Sequence, residues 1–167
     1  MRILGISGSL QRQSSNQRLL ELARSVAPPG VELMLFDGIR DLPHFDPDIE
    51  AEGAAPAAVV AWRRALAVSD AVLIASPEYG HSLPGSLKNA IDWVIGSGEL
   101  ERKIVAITAV VPIAERGRLG LAALAATLGA VRARLVGGAP ITRGPELERH
   151  VRDLLSALVR EAELPGE

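Results

Sequence analysis

No other stretch constrains the fold of this chain as tightly as Ser76 to Trp93, which reads SPEYGHSLPGSLKNAIDW. The residues just before it, Ala71 to Ala75 (AVLIA), form the short, apolar, β-branched run expected of a strand covered on both faces. Pro77 ends that ladder. Pro84 suits the first position of a helix, where its missing N–H is not needed, and Leu87, Ala90, Ile91, Val94 and Ile95 then recur at i, i+3, i+4, i+7 and i+8. Between the prolines lies a polar loop, Glu78, Tyr79, Gly80, His81 and Ser82, with one aromatic residue. In an open parallel sheet such a loop stands at the carboxyl end of its strand, where ligands bind.

The rest of the chain repeats this strand, loop and helix pattern. Arg2 to Ser7 (RILGIS) reads as a strand, followed by helical spacing at Leu19, Leu22, Ala23 and Val26. After the turn signal Pro28, Pro29, Gly30 comes a second strand, Val31 to Phe36. Asp37 to Ala55 is rich in prolines and carboxylates but lacks the ordered ligand positions of a calcium loop, so a solvated loop is expected. Pro56 to Ser69 reads as a helix with Val59, Trp62 and Leu66 inward and Arg63 and Arg64 towards water. Lys103 to Val110 is a fourth strand, Leu121, Leu124, Leu128 and Val131 mark a helix, and Arg132 to Gly137 is a weaker fifth strand. A final helix, carrying Leu147, Val151, Leu154, Leu155 and Leu158, ends near Pro165. The expected architecture is α/β: a doubly wound three-layer sandwich around a five-stranded parallel sheet.

A length of 167 residues suits one domain spanning 1–167. A net charge of −2 gives no electrostatic footprint for nucleic acid, and the absence of cysteine excludes thiolate metal sites and a cysteine nucleophile. The apolar run Ile104 to Ala114 contains Pro112 and falls short of the ~20 residues needed to cross a bilayer. Because a strand begins by Ile3, no signal peptide is expected, and the reading is a cytoplasmic protein without membrane or nucleic-acid partners.

Three loops lie where such a sheet presents its ligand: Gly8 to Asn16, Pro77 to Ser82 and Val111 to Leu119. The first carries Ser9, Arg12, Ser14, Ser15 and Asn16 ahead of a helix, a setting for either a phosphate or an ordinary helix cap. It lacks GK[ST], and Gly5 and Gly8 do not make G-x-G-x-x-G, so neither a P-loop nor a standard dinucleotide site is expected. In the second loop Tyr79 can stack on a flat ring or simply pack on its own loop. His81 is the one group there that titrates near neutrality, though a lone loop histidine is ordinarily a surface residue. Lys88 and Asp92, four apart, should form a surface ion pair.

Together, GSLQRQSSN, DLPHFDPDIE and SPEYGHSLPGSLKNAIDW resemble the NAD(P)H-dependent FMN reductase family, flavodoxin-like flavoproteins that include quinone, azo-dye and chromate reductases. The resemblance implies a flavodoxin-like strand order of 2-1-3-4-5. It also implies FMN as cofactor, NADPH or NADH as cosubstrate, and a quinone, flavin or similar small-molecule electron acceptor. Carried over by position, Ser9, Ser14 and Asn16 meet the FMN phosphate, while Pro77, Glu78, Tyr79 and Gly80 lie along the ring and ribityl chain. Gln11, Arg12, Ser15, His81 and Val111 complete the implied cofactor-binding set. No nucleophile and no metal is implied. Two departures stand out: Gln11 follows Gly-Ser-Leu where the family often has arginine, and Val111 to Gly117 replaces a small glycine-rich loop. The resemblance further implies a homodimer or homotetramer; Trp93 and the helix from Arg118 to Val131 are candidate contact surfaces, the alternative being that Trp93 covers its own subunit's core. An electron carrier, and a regulatory protein that keeps the fold without flavin, remain alternatives.

Overall fold

The computed structural model describes residues 1–51, 53 and 55–164. The chain runs β1 (Arg2–Ser7), α1 (Ser15–Ser25), β2 (Glu32–Phe36), a 3-10 turn (Gly38–Asp41), α2 (Pro47–Ala51), α3 (Ala57–Ala67) and β3 (Ala71–Ala75). It continues through α4 (Gly85–Asp92), β4 (Ile104–Val111), α5 (Arg118–Ala130), β5 (Arg134–Thr142) and α6 (Leu147–Glu163). The five strands form one sheet in the order β2-β1-β3-β4-β5, every neighbouring pair parallel, as the resemblance implied.

Strand alternation divides the core between the two faces of this sheet. Leu4 and Ile6 of β1, Val72 and Ile74 of β3, and Val105 and Ile107 of β4 point to one side, where they meet Trp62, Leu87, Ile91 and Leu124 of α3, α4 and α5. Ile3, Ala71, Leu73 and Ala106 point to the other and meet Leu19, Leu20, Val151 and Leu155 of α1 and α6. Because β3 and β4 are covered on both faces they are apolar throughout, which is why their sequence signal is strong.

Several boundaries differ from the sequence reading. Asp37 to Ala55 contains the 3-10 turn and α2, an additional helix, rather than loop alone; Glu52 and Ala54 lie outside the described residues. Among the described residues no group of three or more His, Asp or Glu side chains is placed to hold a metal. Arg63 does not face water: its Nη2 donates to both carboxylate oxygens of Glu50 at 2.7 Å and to the Trp93 carbonyl at 2.7 Å, tying α2 to the end of α4. Pro84 is the N-cap of α4 and Gly85 its first residue; the helix closes at Asp92, so Ile95 leaves the apolar face and is exposed. β5 starts later and runs further, through Gly137 and Gly138, whose positive φ values of 77° and 108° accompany a register shift against β4. Pro140 is tolerated there because β5 is an edge strand. α6 closes at Glu163, and Pro165 is outside the described residues. Lys88 and Asp92 do form the expected pair, at 2.5 Å.

Of the two readings of Trp93, contact surface and core residue, the structure bears out the second. Trp93 is fully buried in its own subunit, its indole N–H donating to the Pro43 carbonyl at 2.8 Å. Among the described residues no helix is long and apolar enough to cross a membrane.

Candidate functional site

At the carboxyl edge of the sheet β1 and β3 continue into their loops side by side. Gly8 N–H donates to the Ala75 carbonyl and Ser76 N–H to the Thr108 carbonyl, each at 2.9 Å. Gly8 is required by this approach, since a Cβ there would stand 2.8 Å from Ser76 Oγ and 3.1 Å from Ser76 Cα.

Loop 1, between β1 and α1, is held from within. Ser7 Oγ accepts from Ser9 N–H, Ser9 Oγ accepts from Gln11 N–H, and Ser14 Oγ caps α1 by accepting from Gln17 N–H at 3.0 Å. The Asn16 carbonyl oxygen, buried, accepts the N–H of Val110 on β4 at 2.9 Å and so locks α1 to the far side of the site. These bonds use only acceptor capacity. Among the described residues the hydroxyl protons of Ser9 and Ser14, the Asn16 amide N–H groups, and the backbone N–H groups of Arg12, Gln13, Ser15 and Asn16 have no protein acceptor. Converging free donors at the start of a helix form an anion seat. Asn16→Leu is expected to cost about 2 kcal/mol, because it leaves the buried Val110 N–H unpaired. Urea denaturation of the variant checks this; an unchanged midpoint would show the bond to be dispensable.

Loop 2, between β3 and α4, ends in a tight hairpin. Tyr79 and Ser82 exchange both backbone bonds at 3.0 Å, with Gly80 at φ 55° and His81 at φ 62° between them, the two positive values a type I′ turn requires. Tyr79 is 55% exposed at its tip and His81 is an exposed surface residue. The Glu78 side chain turns the other way: Oε2 accepts from Gly120 N–H in the first turn of α5 at 2.8 Å, and Oε1 lies 3.3 Å from His81 Nδ1. The Gly120 N–H, aided by His81 and opposed by partial desolvation, holds the Glu78 carboxyl below its usual range.

Loop 3, between β4 and α5, folds Val111 back onto Gly117. A Cβ on Gly117, which has φ 82°, would lie 2.9 Å from Val111 Cγ1. Val111 is itself buried in the core on one face of the sheet, and a cleft of about 500 Å³ stays open between loops 2 and 3, lined by Pro77, Glu78, His81, Val111, Glu115 and Arg116 among others. A second cleft, of about 430 Å³, opens between loop 1 and the turn after β2 and includes Ser9, Gln11, Arg12 and Arg40. The candidate residues thus divide. Ser9, Gln11 and Arg12 line the loop 1 cleft, and Pro77, Glu78, His81 and Val111 line the loop 2–3 cleft. Ser14, Ser15 and Asn16 sit at the start of α1 and Tyr79 and Gly80 at the hairpin, and these five line neither cleft. Sequence reasoning missed Gly120 and Arg40, while Arg116, one of three arginines with Arg12 and Arg118 that it offers for a nicotinamide 2′-phosphate, does line the loop 2–3 cleft. Glycines at 117 and 120, bracketing the first turn of a helix, were the available signal for the first; nothing in the linear pattern pairs Arg40 with loop 1.

The doubly wound sheet, with three strand-end loops converging on one edge, defines a flavodoxin-like protein. Residues 1–144 match the family model of NADPH-dependent FMN reductases, and the chain belongs to that family. It is similar to an NAD(P)H-dependent FMN reductase of Pseudomonas aeruginosa, 40% identical over 122 residues that cover 73% of this chain and 64% of that protein. It is also similar to a probable NADPH:quinone oxidoreductase of Oryza sativa, 41% identical over 95 residues covering 56% and 47%. The chain spans about half the length of the curated relatives it matches. Among solved structures, a flavoenzyme NAD(P)H:(acceptor) oxidoreductase from Paracoccus denitrificans superposes with a TM-score of 0.81 at 27% identity, covering 95% of this chain and 97% of that one.

Proposed function

We propose that this chain, read as one domain over 1–167, is a cytoplasmic oxidoreductase that binds FMN, takes reducing equivalents from NADPH or NADH and passes them to a quinone or similar small acceptor. The observation that carries this reading is the set of unpaired donors in loop 1 beside an open cleft between loops 2 and 3. A phosphate monoester fits the first and a flat ring system the second. The family and the similarity to NAD(P)H-dependent FMN and quinone reductases support the same assignment.

Ser9, Ser14, Asn16 and the loop 1 N–H groups would hold the FMN phosphate, with Pro77, Val111 and the backbone of Tyr79 and Gly80 along the rest. FMN when bound supplies the hydride and electron chemistry, so the protein needs no nucleophile. Its residues bind, orient and set the local charge. Glu78 is turned onto the start of α5, where the helix N-terminus stabilises its negative charge and takes up its Oε2 lone pair. Val110 N–H is already committed to Asn16, which leaves the unpaired N–H groups of loop 3 as the donors available to an electron-rich ring edge. Tyr79, exposed at the hairpin, would cover a ligand rather than a core. Among Arg12, Arg116 and Arg118, only Arg116 lines the loop 2–3 cleft, which makes it the candidate to favour NADPH.

Titrating FMN into the purified protein should quench flavin fluorescence to saturation at one FMN per chain. Anaerobic NADPH or NADH should then bleach the bound flavin, and a quinone should restore it. Absence of binding would sink the reading; binding without bleaching would favour the electron carrier. Light scattering should report a homodimer or homotetramer.

A further inference from the structure

We propose that Arg40, in the 3-10 turn after β2, supplies the positive charge that lets loop 1 hold a phosphate dianion. The inference rests on the FMN reading and identifies a residue of this chain that serves it. Loop 1 offers many N–H and O–H donors but only one charged group, Arg12, because position 11 is glutamine. A phosphate monoester carries close to two negative charges at neutral pH, its second pKa being about 6. Neutral donors alone hold such an ion less firmly than guanidinium partners do.

Arg40 reaches the loop from 30 residues away: its Nη2 donates to the Leu10 carbonyl at 2.6 Å, between Ser9 and Gln11. That bond uses one of five guanidinium N–H groups, and among the described residues the others have no protein acceptor. Neither Arg40 nor Arg12 is in an ion pair with a described carboxylate, although Glu21 and Asp37 line the same cleft. With both arginines present the two cations balance the two carboxylates. Without Arg40 the cleft lining would be net negative and would repel a dianion. A polar contact that pins a long cation to the backbone of an anion-binding loop, while leaving its remaining donors free, also lowers the ordering cost of binding.

The test compares FMN with riboflavin, which lacks the phosphate, on the full chain and on Arg40→Gln and Arg40→Lys, by fluorescence titration at several salt concentrations. Arg40→Gln should weaken FMN about tenfold to a hundredfold while leaving riboflavin unchanged, as expected for loss of a charge-assisted contact. It should also flatten the salt dependence of FMN affinity, an effect that mere loss of a loop brace would not produce. Arg40→Lys should recover most of the affinity and the salt dependence. A wild-type protein that binds neither flavin overturns the cofactor reading itself. If the wild type binds FMN, then Arg40→Gln with wild-type affinity and salt dependence, or an equal loss for riboflavin, overturns the role of Arg40 alone.

Discussion

Trp93→Ala is expected to destabilise the protein by about 3–5 kcal/mol, the range for truncating a fully buried tryptophan. For a chain of this size that corresponds to a fall in Tm of about 10 °C or more. Trp93 has no exposed surface. Its ring meets Phe45 edge-on, centroids 5.1 Å apart at 86°, and its N–H shares the Pro43 carbonyl with the Asn89 amide, each at 2.8 Å. Asn89 in turn accepts the Phe45 N–H at 2.8 Å, so α4 and the residue closing it staple the segment after β2 in place. Truncation removes the ring and releases the segment together. Thermal melts at low and high protein concentration check the origin of the loss. A deficit that vanishes on raising the concentration would return Trp93 to a subunit interface, whereas an equal deficit at both places it in the core of one subunit.

That staple illustrates what the sequence does and does not disclose. The five-stranded parallel sheet and the two-faced core follow from apolar runs and helical periodicity, because burial on both faces leaves a compositional trace at each position, whereas the strand order comes from the family resemblance. The motif KNAIDW was legible as part of a family signature, yet its Asn89 and Trp93 act on the backbone of Pro43 and Phe45 and not on the loops at the sheet edge. Spacing cannot report a bond to a carbonyl 46 or 50 residues away. The same limit hid Arg40 against Leu10 and Asn16 against Val110. The linear pattern ends β5 early for a local reason: Gly137, Gly138 and Pro140 are turn signals in sequence, and only pairing with β4 through a register shift carries the strand past them. α2 was too short to leave a periodic trace.

Gly120→Val should cost about 3 kcal/mol, at the upper end of overpacking penalties, and should widen the cleft between loops 2 and 3. A Cβ at Gly120 would stand 2.9 Å from Glu78 Cβ and 3.0 Å from Glu78 Cα. The second of these is backbone, so no rotamer change relieves it, and α5 must separate from loop 2. The Gly120 N–H to Glu78 Oε2 bond is then lost. Because that N–H is the leading reason the Glu78 carboxyl titrates below its ordinary value, the contact adds stability at pH values above that range. The contribution disappears as the pH falls through the lowered folded-state value. Wild-type protein should therefore lose stability on acidification more steeply than Glu78→Gln, and Gly120→Val should resemble Glu78→Gln in slope while lying below it in absolute stability. Denaturation midpoints measured from neutral pH down to pH values below the carboxylate range decide this. FMN titration of the same variants reads the consequence at the site: a Gly120→Val protein that stays folded yet binds FMN as tightly as wild type would mean that the α5 contact does not position loop 2 for its ligand.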